Sequence, residues 1–528
     1  MIKKLYLLAA FMVCHNCISQ IASQNTYEHI SNERIYDFLD ELANQGMIHL
    51  NSTVKPYSRQ MIANALREAD KHQALMGKRQ QTELRFYLSS FFLELGEDPA
   101  SRTWRHKTQY QEEMGVSHPA FQAWYRDTLF KLILRPVAGI YFYNNSSGTI
   151  KHRWGGAEAH ATLGRHLGVY ASLRDNNESE KITSPLFFNS RQGVPMKNFG
   201  DEGYDYSEMR GGITFSWKWG SVGLIKDHVV WGDNYHGSNI LSGRTPSFPF
   251  ITFKLKPTRW LEFNYIHGWL VSSVVDSSRS YWDDYVYRPV FHEKYLAANL
   301  LTVTPLKRLN ISFGNSIVYS DLGVHAAYLN PFMFYKSVDH TLNGTNSRGE
   351  TGQNAQMFAS ISSRQIKGLH IFTSIFFDEL NISRIKNGLV HNFFSFKAGA
   401  RSSGLLHKNL TLTAEYTLTK PLTYAHKIST TTFESNEYNL GHYLRDNSKE
   451  LYLSVLFKPL AHVYARAEYI YAGHYNDYVY DTRPGIVGDP PFQDLTWQQT
   501  AAGMEIGWEF AANAGIRVSY TFTETKGF

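Results

Sequence analysis

From about residue 103 to Phe528, apolar and polar residues alternate with a period of two. Leu167, Val169, Ala171 and Leu173 oppose Gly168, Tyr170, Ser172 and Arg174. Leu410, Leu412, Ala414, Tyr416 and Leu418 oppose Thr411, Thr413, Glu415 and Thr417. Leu451, Leu453, Val455 and Phe457 oppose Tyr452, Ser454 and Lys458. Neighbouring side chains of a strand point to opposite faces, so each segment predicts a strand with one apolar and one polar face. The last stretch alternates too: Ile516, Val518, Tyr520 and Phe522 share a face with Phe528, interrupted by Glu524 and Lys526. The polar faces carry Glu158, Arg174, Lys218, Asp227, Glu415, Arg466, Glu468 and Arg517. The core of a soluble sandwich would have to bury these charges, whereas a polar lumen accommodates them.

The connections alternate in length. Short turns recur at Gly164-Arg165-His166, Pro257-Thr258-Arg259, Pro305-Leu306-Lys307 and Pro459-Leu460-Ala461. Long polar segments fall near 176–206, 232–248, 275–291, 320–350, 419–447 and 473–497. Short turns on one side and long loops on the other predict a membrane all-β fold, a transmembrane antiparallel β-barrel of about 18 strands. With every long loop outside, the short turn near Ala511 to Asn513 would leave Phe528 outside as well. Either that turn faces outward or a further strand exists, with Tyr478 to Asp481 as one place for it.

Residues 31–97 have a helical period instead. Ile35, Phe38, Leu39 and Leu42 fall at i, i+3, i+4 and i+7. Met61, Ile62, Ala65, Leu66 and Ala69 follow, with Pro56 placed as a first helical residue. Leu84, Leu88, Phe91, Phe92 and Leu95 predict a third helix stopped by Gly96. At the start, Lys3 and Lys4, the apolar Leu5 to Val13, and the small Cys17 and Ser19 predict a secretory leader cleaved before Gln20, or alternatively after Ser23. The expected organisation is a signal peptide over 1–19, a helical bundle over 20–102 and an outer-membrane barrel over 103–528. Both cysteines, Cys14 and Cys17, fall in the leader, so the mature chain would hold neither disulfide nor thiolate metal site.

Composition narrows the class. Aromatic residues make up 15% of 528, yet mean hydropathy is −0.35 and no apolar run is long enough for a spanning helix. The formal charge of +6 is far too small to imply nucleic acid. Trp217, Trp219, Trp260, Trp269 and Phe457 sit near expected strand ends, where interfacial girdles form.

Three groups of residues carry a family likeness. The segment Tyr36-Asp37-Phe38-Leu39-Asp40-Glu41-Leu42-Ala43, Gly46-Met47-Ile48 and Lys55-Pro56-Tyr57-Ser58-Arg59 resembles the start of the capsule-assembly Wzi family, Bacteroidetes-type. Arg153-Trp154-Gly155-Gly156-Ala157-Glu158-Ala159 strengthens it, as does Trp231-Gly232-Asp233 leading into Leu241-Ser242-Gly243-Arg244-Thr245-Pro246-Ser247-Phe248-Pro249. The resemblance implies an outer-membrane barrel with the helices at its periplasmic end, loops at the cell surface, and a lectin-like role in holding capsular polysaccharide. It implies no catalysis and transfers no site residue by residue.

The chain contains no phosphate-cradling glycine loop, HExxH pair or GxSxG elbow, and its histidines show no ligand spacing. No catalytic residue, metal or cofactor is therefore expected. Sugar rings stack on Trp and Tyr, while their hydroxyls pair with Asp, Asn and Arg; Arg also grips a uronate carboxylate bidentately. Two expected outer loops offer that mixture: Trp231, Asp233, Asn234, Tyr235, His236 and Arg244, and then Trp282 and Asp283 among Tyr281, Asp284 and Tyr285. Tyr475, Tyr478 and Tyr480 form a third group. The expected partners are capsular polysaccharide or exopolysaccharide, outer-membrane lipid and lipopolysaccharide, and the barrel-assembly machinery that reads a terminal aromatic. A porin-like diffusion channel and an outer-membrane lipid hydrolase are the alternatives.

Overall fold

The computed structural model describes residues 25–98, 101–107, 112–118, 121–182, 190–198, 203–343, 352–380, 392–478 and 491–527. The expected leader, Tyr480 and Phe528 lie outside the described residues.

The helices pack stripe against stripe. Ile35, Phe38, Leu39 and Leu42 of α1 (Glu33–Asn44) are buried together with Ile62, Ala65 and Leu66 of α2 (Arg59–Asp70) and Leu84 and Tyr87 of α3 (Lys78–Ser90). Each buried Leu, Ile or Phe contributes roughly 1.5–3 kcal/mol, which holds three short helices together. α2 starts at Arg59 because Ser58 Oγ accepts from the Met61 N–H at 3.2 Å. Pro56 precedes this cap and does not open the helix. The expected third helix is broken at Phe91 into α3 and α4 (Phe92–Leu95), and Gly96, at φ +72°, ends it as expected.

Among the described residues there follows one antiparallel sheet of 20 strands, paired in sequence order from Ser101–Lys107 to Ala514–Lys526. This is within about two of the expected 18. The first three strands, Ser101–Lys107, Glu113–His118 and Gln122–Arg126, have 7, 6 and 5 residues. They are shorter than the roughly 9–11 residues a bilayer-crossing strand needs. The sheet curls around an interior. Tyr141, Arg174, Arg401, Arg466 and Arg517, from strands spread along its length, line one cavity. The Arg517 guanidinium near the end of the sheet lies over the Tyr141 ring at 4.5 Å.

Polarity across the sheet is inverted relative to a soluble domain. In Leu410–Thr419, Thr411, Thr413, Glu415, Thr417 and Thr419 are buried while Ala414 and Tyr416 are exposed. In Leu167–Glu178, Tyr170 and Ser172 are buried, whereas Val169 and Leu173 face outward. Ile516, Val518, Tyr520 and Phe522 are all more than half exposed. No described helix is long and apolar enough to cross a membrane.

The short turns gather around the helices. Arg308 Nη2 donates to Gly46 O at 2.6 Å, Gly368 N to Asn44 O at 2.6 Å, and Arg79 Nε to Asn409 Oδ1 at 3.2 Å. Trp219 and Trp260 stand half exposed at turns of this helical end, but Trp269 is half-buried within its strand, against Tyr265 and Tyr295. The turn at Ala512–Asn513 is also here: Asn513 Nδ2 donates to Glu28 Oε1 at 2.9 Å. Strand Ala514–Lys526 therefore runs from the helical end toward the far end.

Two long segments expected outside fold inward instead. Residues 228–247 and 420–447 bury Trp231, Ile240, Leu241, Tyr424, Phe433 and Leu440 with wall residues Phe358 and Phe376. Segment 321–343 lies instead against the outer face of the sheet, where Tyr328, and Tyr335 of α5 (Tyr335–Asn343), pack on Tyr265, Tyr295 and Tyr319. Aromatic side chains of this size gain more from packing than from exposure.

Candidate functional site

The segment after Gly220–Asp227 positions most of the expected binding residues. Inside the sheet, Val230–Trp231 pairs with Val54–Lys55 on one side and Leu241–Ser242 on the other, forming a three-stranded ribbon. Gly232 N donates to Thr53 O at 2.8 Å and turns the chain at φ +94°. A side chain there would be strained, and its Cβ would lie 2.8 Å from Ser238 Oγ.

This placement corrects the reading of 232–248 as an outer loop. Trp231 is 1% exposed and meets Phe358 edge-on at 6.0 Å, so it is a core residue. Asp233 is buried and accepts from Ser52 and from Thr53 Oγ1 at 3.2 Å. Asn234 closes its own turn, donating to Gly232 O at 2.8 Å. Tyr235 donates to Asp40, its hydroxyl lies 2.7 Å from His370 Nδ1, and its ring lies 4.3 Å beneath the Arg401 guanidinium. His236 stacks on Tyr452 at 4.3 Å. The backbone N–H groups of Tyr235 and His236 donate to Glu415, which is paired with the buried Lys397 at 2.7 Å.

Arg244 differs from these satisfied groups. Its guanidinium sits 5.2 Å from the Tyr438 ring and 5.9 Å from Tyr443. Nε and Nη2 are buried without a hydrogen-bond partner among the described residues. Burial lowers its pKa to about 10, which leaves it cationic at neutral pH.

Trp282 and Asp283 are elsewhere. They belong to a projecting hairpin, Tyr281–Asp283 with Val286–Arg288, where Trp282 meets Tyr287 at 5.5 Å and Asp283 meets Arg288 at 3.4 Å. Trp282 is 72% exposed. The structure thus separates the two groups, placing one on the interior ribbon and one on the surface. Tyr475 is half-buried on a third segment and stacks edge-on with Phe492 at 5.4 Å.

Beneath the ribbon, α1 presents acids to cations of the wall. Asp40 meets Arg364 at 2.6 Å, and Asp37 meets Arg401 at 2.8 Å and Arg466 at 3.2 Å. Burial alone would raise these two carboxyls. The guanidiniums outweigh it and hold both well below the usual carboxylate range. Arg401 was not singled out from sequence, since nothing local links it to an acid 364 positions away. The charged polar face of the strands was the only signal.

Between ribbon, helices and wall lies a cavity of about 1470 Å³. Tyr141, Tyr206, Tyr235, Tyr443 and Tyr452 line it together with Arg174, Arg244, Arg401, Arg466 and Arg517. Phenol rings beside guanidiniums suit a ligand with flat C–H faces and anionic groups.

The fold was compared with solved structures. Wzi, an outer-membrane protein involved in group 1 capsule assembly in Escherichia coli and described as a carbohydrate-binding β-barrel, matches with a TM-score of 0.55 at 10% identity. The match covers 95% of this chain and 96% of that one. The chain shares its fold. Acinetobacter baumannii OccAB2 matches with a TM-score of 0.43 at 9% identity over 76% of this chain and 94% of that one. Pseudomonas aeruginosa OccK5 (OpdH) also scores 0.43, at 10% identity over 76% and 95%. No family model and no curated protein matches the sequence. The Wzi likeness, helices included, agrees with the fold expected from the sequence motifs.

Proposed function

We propose that the chain is a closed outer-membrane barrel that binds an acidic capsular polysaccharide or exopolysaccharide and retains it at the cell surface without catalysis. The helices would be periplasmic and the Trp282 hairpin at the surface. Arg244 carries the reading. A buried guanidinium with two unpartnered donor atoms, flanked by two phenol rings at the cavity wall, has the chemistry to hold a uronate carboxylate. The Wzi-like fold over both whole chains supports the same reading.

A porin would need a continuous aqueous path. α1, the ribbon and the inward segments occupy much of the interior, which favours a plugged barrel and near-silent planar bilayers.

The binding test is retention of uronate-containing polysaccharide by the purified barrel. Removing a charge-assisted hydrogen-bonding partner costs about 1.5–3 kcal/mol, so Arg244→Ala should weaken binding about 10- to 100-fold. Arg244→Lys should recover part of it, because one ammonium replaces a two-pronged donor. Equal retention by wild type and both variants would discard the site. An unchanged ratio of cell-bound to shed polysaccharide after gene deletion would discard the function.

A further inference from the structure

A second group of buried side chains lies where the N-terminal segment meets the wall, and the polysaccharide reading makes no use of it. His29 Nε2 is 3.0 Å from His228 Nδ1. Glu208 Oε1 is 3.9 Å from His228 Nδ1, and the three donor atoms all lie within 4.8 Å of one another. Both histidines are buried, and Glu208 Oε1 is buried without a hydrogen-bond partner. Asp227 Oδ1 is 3.8 Å from each of the two ring nitrogens.

We propose that His29, His228 and Glu208 bind one divalent cation of the zinc class, with a fourth position open to water. Ligands about 2.0–2.2 Å from a tetrahedral zinc lie roughly 3.3–3.5 Å apart, so closing from the present spacings takes shifts of about an ångström. Histidine plus carboxylate is the donor set of such ions, not of calcium or magnesium, which prefer oxygen alone. The outer contacts suit ligation as well. Ser31 holds the His29 ring in place, with its Oγ 2.7 Å from Nδ1 and its backbone N–H donating to Nδ1 at 3.2 Å. Tyr170 donates to Asp227 Oδ2 at 2.9 Å and fixes the neighbouring carboxylate.

Charge limits the affinity. Arg210 Nε is 3.2 Å from Glu208 Oε1, its Nη1 is 3.8 Å from Asp227 Oδ1, and Arg174 is also near. The two guanidiniums offset the two carboxylates, so a bound dication carries its charge uncompensated. The site is therefore a moderate binder that must be tested at micromolar metal. Its ligands come from the N-terminal segment, the strand Tyr204–Trp217 and the residue following Gly220–Asp227, so a bound ion pins the start of the chain to the wall. The sequence showed no ligand spacing because His29 and His228 stand 199 positions apart.

The test uses the full chain, purified without a polyhistidine tag, stripped with chelator and titrated with zinc and with cobalt. Wild type should bind one zinc, unfold at a higher temperature with zinc than without, and give cobalt a visible absorption band of nitrogen and oxygen ligation. Glu208→Gln, which keeps shape and neighbours, should weaken zinc binding at least about tenfold, and His228→Gln should abolish the band. His292→Gln, at a half-buried histidine outside this group and paired with Asp321, should change nothing. Wild type that binds no zinc and shows no band overturns the proposal without any variant. Undiminished binding by folded Glu208→Gln and His228→Gln overturns it equally.

Discussion

The helical bundle and the sheet are built from the same residue types and sorted in opposite directions. In the bundle, Phe38, Leu39 and Leu66 lie inside. In the sheet, Leu173, Leu453 and Val455 face out while Ser172, Ser454 and Glu415 face in. One rule explains both. Apolar side chains leave water, and for the bundle that means toward each other, whereas for the sheet, in the proposed barrel, it means toward lipid. The two regions meet at polar surfaces: the Asp37 and Asp40 side of α1 against Arg364, Arg401 and Arg466. What a soluble domain shows to solvent is used here as the docking face.

The strongest way to break this comparison is to unbalance that face. Arg364→Met leaves Asp40 short of its closest cation and should cost about 3–5 kcal/mol, the usual penalty for stranding a buried charge. Limited proteolysis should then cut the helices while the sheet stays resistant; loss of both together would contradict separable regions. A charge on the outer face comes next. Val455→Arg should cost about 2–4 kcal/mol of folding in lipid vesicles, read from denaturant midpoints. Ser454→Lys, one residue away but facing the cavity, should cost clearly less, and equal costs would mean that the outer face does not meet lipid.

Acid sharpens the contrast by smaller steps. The Asp37 and Asp40 carboxyls have folded pKa values below their free ones. Their docking contribution is full above about pH 4 and falls away as pH drops below it. At the far end Asp446, which accepts from Leu422 N at 2.7 Å, is pushed by burial up to about 6. Its contribution has the opposite sign and is lost as pH rises from about 4 to about 6. Amide exchange of α1 should therefore quicken on acidification while that of residues 420–447 slows. Trp282→Ala should have the smallest effect, shifting stability by no more than about 0.5 kcal/mol, because the hairpin projects from the sheet.

The alternation at Leu410–Thr419 and Leu451–Phe457 was readable because a period of two is a local property, and so was the stripe from Ile35 to Leu42. The expected helix start at Pro56 failed because Ser58 supplies a better cap. The destination of 232–248 was not readable. Polar composition suggested an exposed loop, but its fate was decided by pairing Val230–Trp231 with Val54–Lys55, far away in sequence. Arg244 was chemically apt for a glycan, yet only folding reveals that it is unpartnered while Asp233 and Tyr235 are already engaged.

The ribbon of Val54–Lys55, Val230–Trp231 and Leu241–Ser242 runs between the two ends of the molecule. Gly232 N donates to Thr53 O at 2.8 Å, and Ser242 N to Leu440 O at 2.8 Å. The same strip of backbone thus grips the helical end with one edge and the inward segment of the far rim with the other. A tug on that rim is felt at the opposite end of the molecule without any side chain having to relay it.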